Sequence, residues 1–149
     1  MHIQRLHKRL ALVACVLGVV APFLQASPAL AASPVKITRI HYGQTGTNLN
    51  TEYIVFKNKS SSAVQMKGWK IISAPSTDHQ YYVFPKTRVP AGHTITLYSG
   101  KGTNTSTTRY WNSTTPKWNN DGDKAILKNA SGTTVDKCLY AGGGTTAYC

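Results

Sequence analysis

Few side chains in this sequence could carry chemistry, and their spacing assigns them none. Beyond residue 31 there are five acids (Glu52, Asp78, Asp121, Asp123, Asp136), three histidines (His41, His79, His93) and two cysteines (Cys138, Cys149). A triad or an acid–base pair needs partners that converge in space. No serine sits in a glycine-flanked elbow, no His/Glu pair has metal-ligand spacing, and no glycine loop has the phosphate-cradling pattern. So few acids also leave little room for the carboxylate pair of a sugar hydrolase. The reading is a protein with no catalytic residue, no cofactor and no metal. The densest polar cluster is Asn119-Asn120-Asp121-Gly122-Asp123. Its two acids and two amides are suitable oxygen ligands for Ca2+, but the remaining acids of a calcium loop are missing. The same residues suit a turn, because Asn and Asp bond their own backbone and tolerate positive φ. A turn with solvated acids is the expected role.

The two cysteines fit export. Arg5, Lys8 and Arg9 precede an apolar run from Leu10 to Leu24, and Ala29-Leu30-Ala31 supplies the small residues of a cleavage site. A basic head, an apolar middle and small residues at the end make a secretory signal over residues 1–31, so residues 32–149 are expected to be secreted. Pro22 interrupts the apolar run, leaving it shorter than the roughly 18 residues of a spanning helix, so the segment reads as a signal and not a membrane anchor; no membrane span is expected in the mature chain. Leu12-Val13-Ala14-Cys15 looks like a lipidation box, yet few apolar residues precede Cys15 and those after it remain apolar. In an oxidising compartment, Cys138 and Cys149 are expected to pair, since they are close in sequence and lack metal-type spacing. Their bridge would pin the tail Ala141-Gly142-Gly143-Gly144 back onto the last strand.

Charge bounds the partners. Three of the 17 basic residues lie in the leader, leaving 14 against five acids. Such an excess favours anionic partners: nucleic acid, phosphate-rich wall polymer or anionic lipid. The basic residues are scattered singly, so solubility alone is the alternative. Interleaved with them, Tyr81, Tyr82, Tyr110, Trp111 and Trp118 are possible stacking platforms for weak, salt-sensitive binding of nucleic acid or another polyanion. The other expectation is an unknown protein or cell-wall polymer, held by a sheet face or by the Gly/Ser/Thr loop 100–108.

The elements that must position these residues are short strands. Apolar residues come in brief alternating runs with Pro or Gly between them, which argues an all-β sandwich or barrel. In the run from Val35 to Tyr42, Val35 and Ile37 share one face while Ile40 and Tyr42 share the other, so a bulge is expected near Arg39. Residues 52–58 are apolar on both faces and read as a central strand. Further strands are expected at 63–66, 69–73, 81–84 and 93–98, the last with Ile95 and Leu97 inward. The chain closes in a β-hairpin, residues 118–128 and 133–140, across the turn Asn129-Ala130-Ser131-Gly132.

These landmarks together resemble the lamin-tail domain (LTD) family. The matching elements are Glu52-Tyr53-Ile54 with Lys57-Asn58, Gly68-Trp69-Lys70-Ile71, Tyr82-Val83-Phe84-Pro85, Pro90-Ala91-Gly92-His93, Trp118-Asn119-Asn120-Asp121-Gly122-Asp123 and Gly132-Thr133-Thr134-Val135-Asp136. They span roughly residues 35–140, in the family's order. The resemblance implies one immunoglobulin-like antiparallel β-sandwich over residues 32–149, acting as a secreted, non-catalytic binding or structural module. Within it Trp69, Trp118, Asn120, Gly122 and Asp123 would be structural, with Trp69 as the large core side chain. Where the family's second strand commonly carries an acid, this chain has Val55-Phe56, so deeper burial is expected there.

Overall fold

The computed structural model describes residues 34–44, 46–74 and 80–149; the expected leader, Asp78 and His79 lie outside them. The alternating runs become strands: β1 (Val35–His41), β2 (Tyr53–Asn58), β3 (Val64–Gln65), β4 (Lys70–Ala74), β5 (Tyr81–Val83), β6 (Arg88–Val89), β7 (Thr94–Tyr98), β8 (Thr108–Tyr110), β9 (Asp123–Lys128), β10 (Thr134–Tyr140) and β11 (Thr146–Tyr148). They form a five-stranded sheet in the order β11-β1-β2-β7-β8, a four-stranded sheet in the order β10-β9-β4-β5, and a small ribbon β3-β6. The fold is an all-β, immunoglobulin-like sandwich. Its pairing is antiparallel except for β8, which runs parallel to β7. The polar loop over residues 99–107 carries the chain back between them.

Two expectations from residue patterning hold in detail. The register of β1 against β2 shifts between Ile37 and Arg39. That extra residue turns Val35, Ile37 and Ile40 into the same core, exposed 0%, 2% and 0%. β2, apolar on both faces, lies between β1 and β7, and both Val55 and Phe56 are buried. Inward parity then fills the interior with Ile54, Phe56, Ile71, Phe84, Ile95, Leu97 and Leu127. Phe84 stands edge-on to Phe56, with ring centroids 5.3 Å apart, a favoured aromatic geometry.

Trp69 is not the main core indole. It is half-buried and packs against the margin of the cluster, whereas Trp118 is 2% exposed. Trp69 has the inward parity of Ile71, but it precedes β4 and therefore sits beyond the covered layer.

The tail corrects a second expectation. Residues after Gly144 form β11, which pairs with β1 through Arg39↔Tyr148, Ile40↔Ala147 and His41↔Thr146. Cys149 follows β11, whereas Cys138 lies in β10 of the other sheet, and the two form a disulfide with Cα atoms 5.6 Å apart. The bridge therefore joins the two sheets; it does not fold the tail onto its own neighbour. Glycine makes the crossing possible: Gly142 has φ +77°, and a Cβ there would lie 2.4 Å from the Asn120 carbonyl oxygen.

With a sequence separation of 11 residues between the cysteines, chain entropy gives the bridge about 3 kcal/mol. Replacing both cysteines by alanine should lower the urea-unfolding free energy by about that amount. Equal stability of the two proteins would show that the bridge is not a structural tie.

Candidate interaction surface

Three of the four described acids turn to partners within the fold. Glu52, just before β2, is 0% exposed. Its Oε1 accepts a hydrogen bond from the Lys117 N–H at 2.6 Å, and its Oε2 accepts one from the Trp118 N–H at 3.2 Å. The carboxylate thus holds the β8–β9 connection down and sets Trp118 into the core. Burial raises its pKa; the Ser99 hydroxyl and the two backbone N–H groups oppose that rise without cancelling it. The Ser99 Oγ itself closes no hydrogen bond of standard geometry, so the two backbone donors carry the capture of the carboxylate. Lys117 is shifted down by its own burial, against the pull of Glu52.

Asp123 is 4% exposed, not solvated as its place in a polar turn suggested. Its Oδ2 accepts from the Ser73 hydroxyl at 2.7 Å and the Asn119 N–H at 3.3 Å, and its Oδ1 accepts from the Lys124 N–H at 2.6 Å. The turn residues are shaped by local bonds: Asn119 Oδ1 accepts from the Asp121 N–H, and Gly122 takes φ +127° with a virtual Cβ 3.0 Å from the Tyr140 carbonyl oxygen. Asn120 is exposed in the same turn. Asp136 accepts from the Ile37 N–H at 2.7 Å and from Lys36 Nζ at 3.1 Å, joining β10 to the bulge of β1. No group of three or more His, Cys, Asp or Glu among the described residues is arranged to hold a metal. Of the described acids, only Asp121 is exposed.

Most of the described cations are exposed, but Lys36, Arg39, Lys117 and Lys128 are half-buried and Arg109 is buried. Arg109 is 6% exposed, and its guanidinium donates to the Thr87 hydroxyl and to the Thr105 and Thr108 carbonyls. It clamps the Gly/Ser/Thr loop, whose Thr105 and Asn104 side chains also accept backbone N–H groups of residues 107, 108 and 110. That loop, a binding candidate from composition, is fastened by its own bonds.

Four lysines scattered along the sequence converge on the outer face of the four-stranded sheet. Register aligns three transverse rows: Thr134, Lys128, Lys70 and Val83; Lys137, Ile126, Ile72 and Tyr81; Leu139, Lys124 and Ala74. Each row carries both lysine and apolar side chains, and no acid among the described residues lies in any of them. Lys70 Nζ lies 5.3 Å above the Tyr81 ring, within cation–π range. Two hollows flank the rows. One of about 310 Å3 is lined by Lys70, Ile72, Tyr81, Lys128 and Asn129 among others. The other, about 480 Å3, is bounded by Lys124, Leu139 and Asp121 among others.

Among the five aromatics suggested as stacking platforms, only Tyr81 remains exposed, at 52%. Trp118 is interior, and Trp111 packs between it and Tyr82 at 6.3 and 5.8 Å. Tyr110 stacks on Tyr98 at 5.4 Å, with the Gly102 backbone against its ring. This last pair belongs to a ladder that residue-by-residue reading missed: His41, Tyr53, Tyr98 and Tyr110 are successive cross-strand partners on the outer face of the five-stranded sheet. Alternation beside inward Ile95 and Leu97 was the signal that places Tyr98 outside. These rings neighbour one another at 5.2, 5.7 and 5.4 Å, so their faces are largely occupied already.

A sequence model of the Lamin Tail Domain family matches residues 28–142. No curated protein matches the chain.

The Glu52 geometry makes a pH prediction with a definite sign. Burial lifts its folded pKa above the ordinary 4.5, so the folded state holds the proton more tightly than the unfolded chain. Its contribution to stability is therefore fully present below that ordinary value and declines as pH rises through the folded pKa. Unfolding free energies of wild type and Glu52→Gln across this range should show that falling slope only in wild type. A slope of the opposite sign would mean that the accepted hydrogen bonds outweigh burial. Glu52→Ala should cost about 3 kcal/mol, because two N–H groups lose a charged acceptor.

Proposed function

Because the chain belongs to the Lamin Tail Domain family, an immunoglobulin-like and non-enzymatic one, we propose that it is a secreted, non-catalytic binding module. Its ligand is a polyanion, held on the outer face of the four-stranded sheet.

One observation carries this reading: Lys70, Lys124, Lys128 and Lys137 share a sheet face whose rows hold no described acid. Three of the acids that could have neutralised such a surface are engaged in the scaffold, where they accept hydrogen bonds from backbone and side chains. A sheet fixes side chains at strand spacing, about 4.8 Å between neighbours, so the lysines form an array held in place: Lys70 beside Lys128 in the first row, with Lys137 and Lys124 in the next two. Such an array suits a repeating phosphate, as in nucleic acid or a phosphate-bearing wall polymer. It reads charge and spacing, not sequence. The leader-like segment over residues 1–31 and the paired cysteines support export.

The alternative partner, a protein or neutral wall polymer gripped by aromatic side chains, has the ladder on the other sheet to recommend it. Those rings are already stacked on one another, and this favours the lysine face.

The test is a salt series with single-stranded DNA and with inorganic polyphosphate. Four phosphate contacts should give log affinity against log salt a slope of about −3 for a single strand. Replacing all four lysines by glutamine should bring the slope close to zero. Binding that ignores salt, or that survives the four substitutions, would overturn the proposal.

A further inference from the structure

The lysine face is not purely a charge array. Among the described residues, four large apolar side chains are exposed: Tyr81 at 52%, Val83 at 44%, Leu139 at 77% and Tyr148 at 80%. Three of the four lie on this face. Leu139 projects from β10, and Tyr81 and Val83 project from β5. These are the two edge strands of the sheet, so apolar groups stand along both sides with Lys70, Lys124 and Lys128 between them.

From this arrangement, which rests on the polyanion reading of the same face, we infer that the anionic ligand is the surface of an anionic lipid bilayer. A dissolved phosphate polymer makes no use of Leu139 or Val83. A lipid interface accommodates both kinds of side chain at once. Lysine stems lie along apolar surface while their ammonium groups stay at phosphate level. Leucine, valine and the body of tyrosine enter the boundary between headgroups and acyl chains, where tyrosine's ring and hydroxyl are each satisfied. Spacing supports the same ligand. The apolar groups sit on opposite sides of the four strands, roughly 15 Å apart at ordinary strand spacing. A broad surface can touch both sides together, whereas a single thin polymer strand lying along the lysines cannot. Lys70 above Tyr81 also places a cation beside the ring that would enter the interface.

Each lysine near an anionic membrane adds roughly five-fold to partitioning. The exported protein should sediment with vesicles of phosphatidylcholine and phosphatidylglycerol, and not with phosphatidylcholine alone. A Val83→Ser/Leu139→Ser variant changes only exposed positions and keeps the four lysines. It should lose about ten-fold or more in affinity for the anionic vesicles while binding single-stranded DNA and polyphosphate as wild type does. Circular dichroism and thermal unfolding of this variant establish that it is folded. If wild type binds DNA and polyphosphate but not anionic vesicles, or if the double variant binds the vesicles as well as wild type, the lipid inference fails and polyanion binding stands. If the protein binds none of these ligands, both readings fall.

Discussion

The structure depends on one buried carboxylate accepting two backbone N–H groups. Taking a charge out of water is costly unless hydrogen bonds replace the lost hydration. Glu52 recovers part of that cost through the N–H groups of Lys117 and Trp118, burial still holding its pKa up, and it fixes a connection that crosses from one sheet to the other. Trp118, seated by that bond, fills the interior that Trp69 only borders. Asp123 and Asp136 repeat the same device at other junctions, one binding Ser73 and the β9 turn, the other binding the bulge of β1. Each ties together segments that are far apart in sequence.

This use of carboxylates has an electrostatic consequence. With three of its four described acids committed to internal hydrogen bonds, the domain presents basic residues to solvent with little opposition. Their positions are set by parity. Lys70, Lys124 and Lys128 alternate with Ile71, Ala125 and Leu127, so burying those apolar residues forces the lysines outward on the same side of the sheet. Building the core and making the cationic face are the same act of patterning.

The patterns that were legible in the sequence are local ones. The conflict of parity in β1 announced its bulge, the two-sided apolar run announced the central β2, and the Asn/Asp/Gly and Asn/Ser/Gly turns framed the closing hairpin. Relations set by tertiary register were not legible. Nothing local shows that residues 146–148 pair with β1, so the disulfide was expected to pin the tail onto the last strand, when it bridges the sandwich. Asp123 looked solvated because its acceptors meet Ser73 only after β4 and β9 are paired. The lysines looked scattered for the same reason: Lys70 and Lys128 are adjacent solely through that pairing. Reading alternation more strictly would have placed each lysine on an outer face, though not all on one.

The central claim is that the outer face of the four-stranded sheet is the working surface of this domain. The most direct measurement is backbone amide chemical-shift mapping during titration with micelles of a short-chain anionic phospholipid. The account predicts that shifts concentrate at Lys70, Ile72, Tyr81, Lys124, Lys128 and Leu139, and leave the Tyr53–Tyr98 region of the opposite sheet unmoved. Shifts concentrated on β2, β7 and β8, with the lysine rows unchanged, would contradict it.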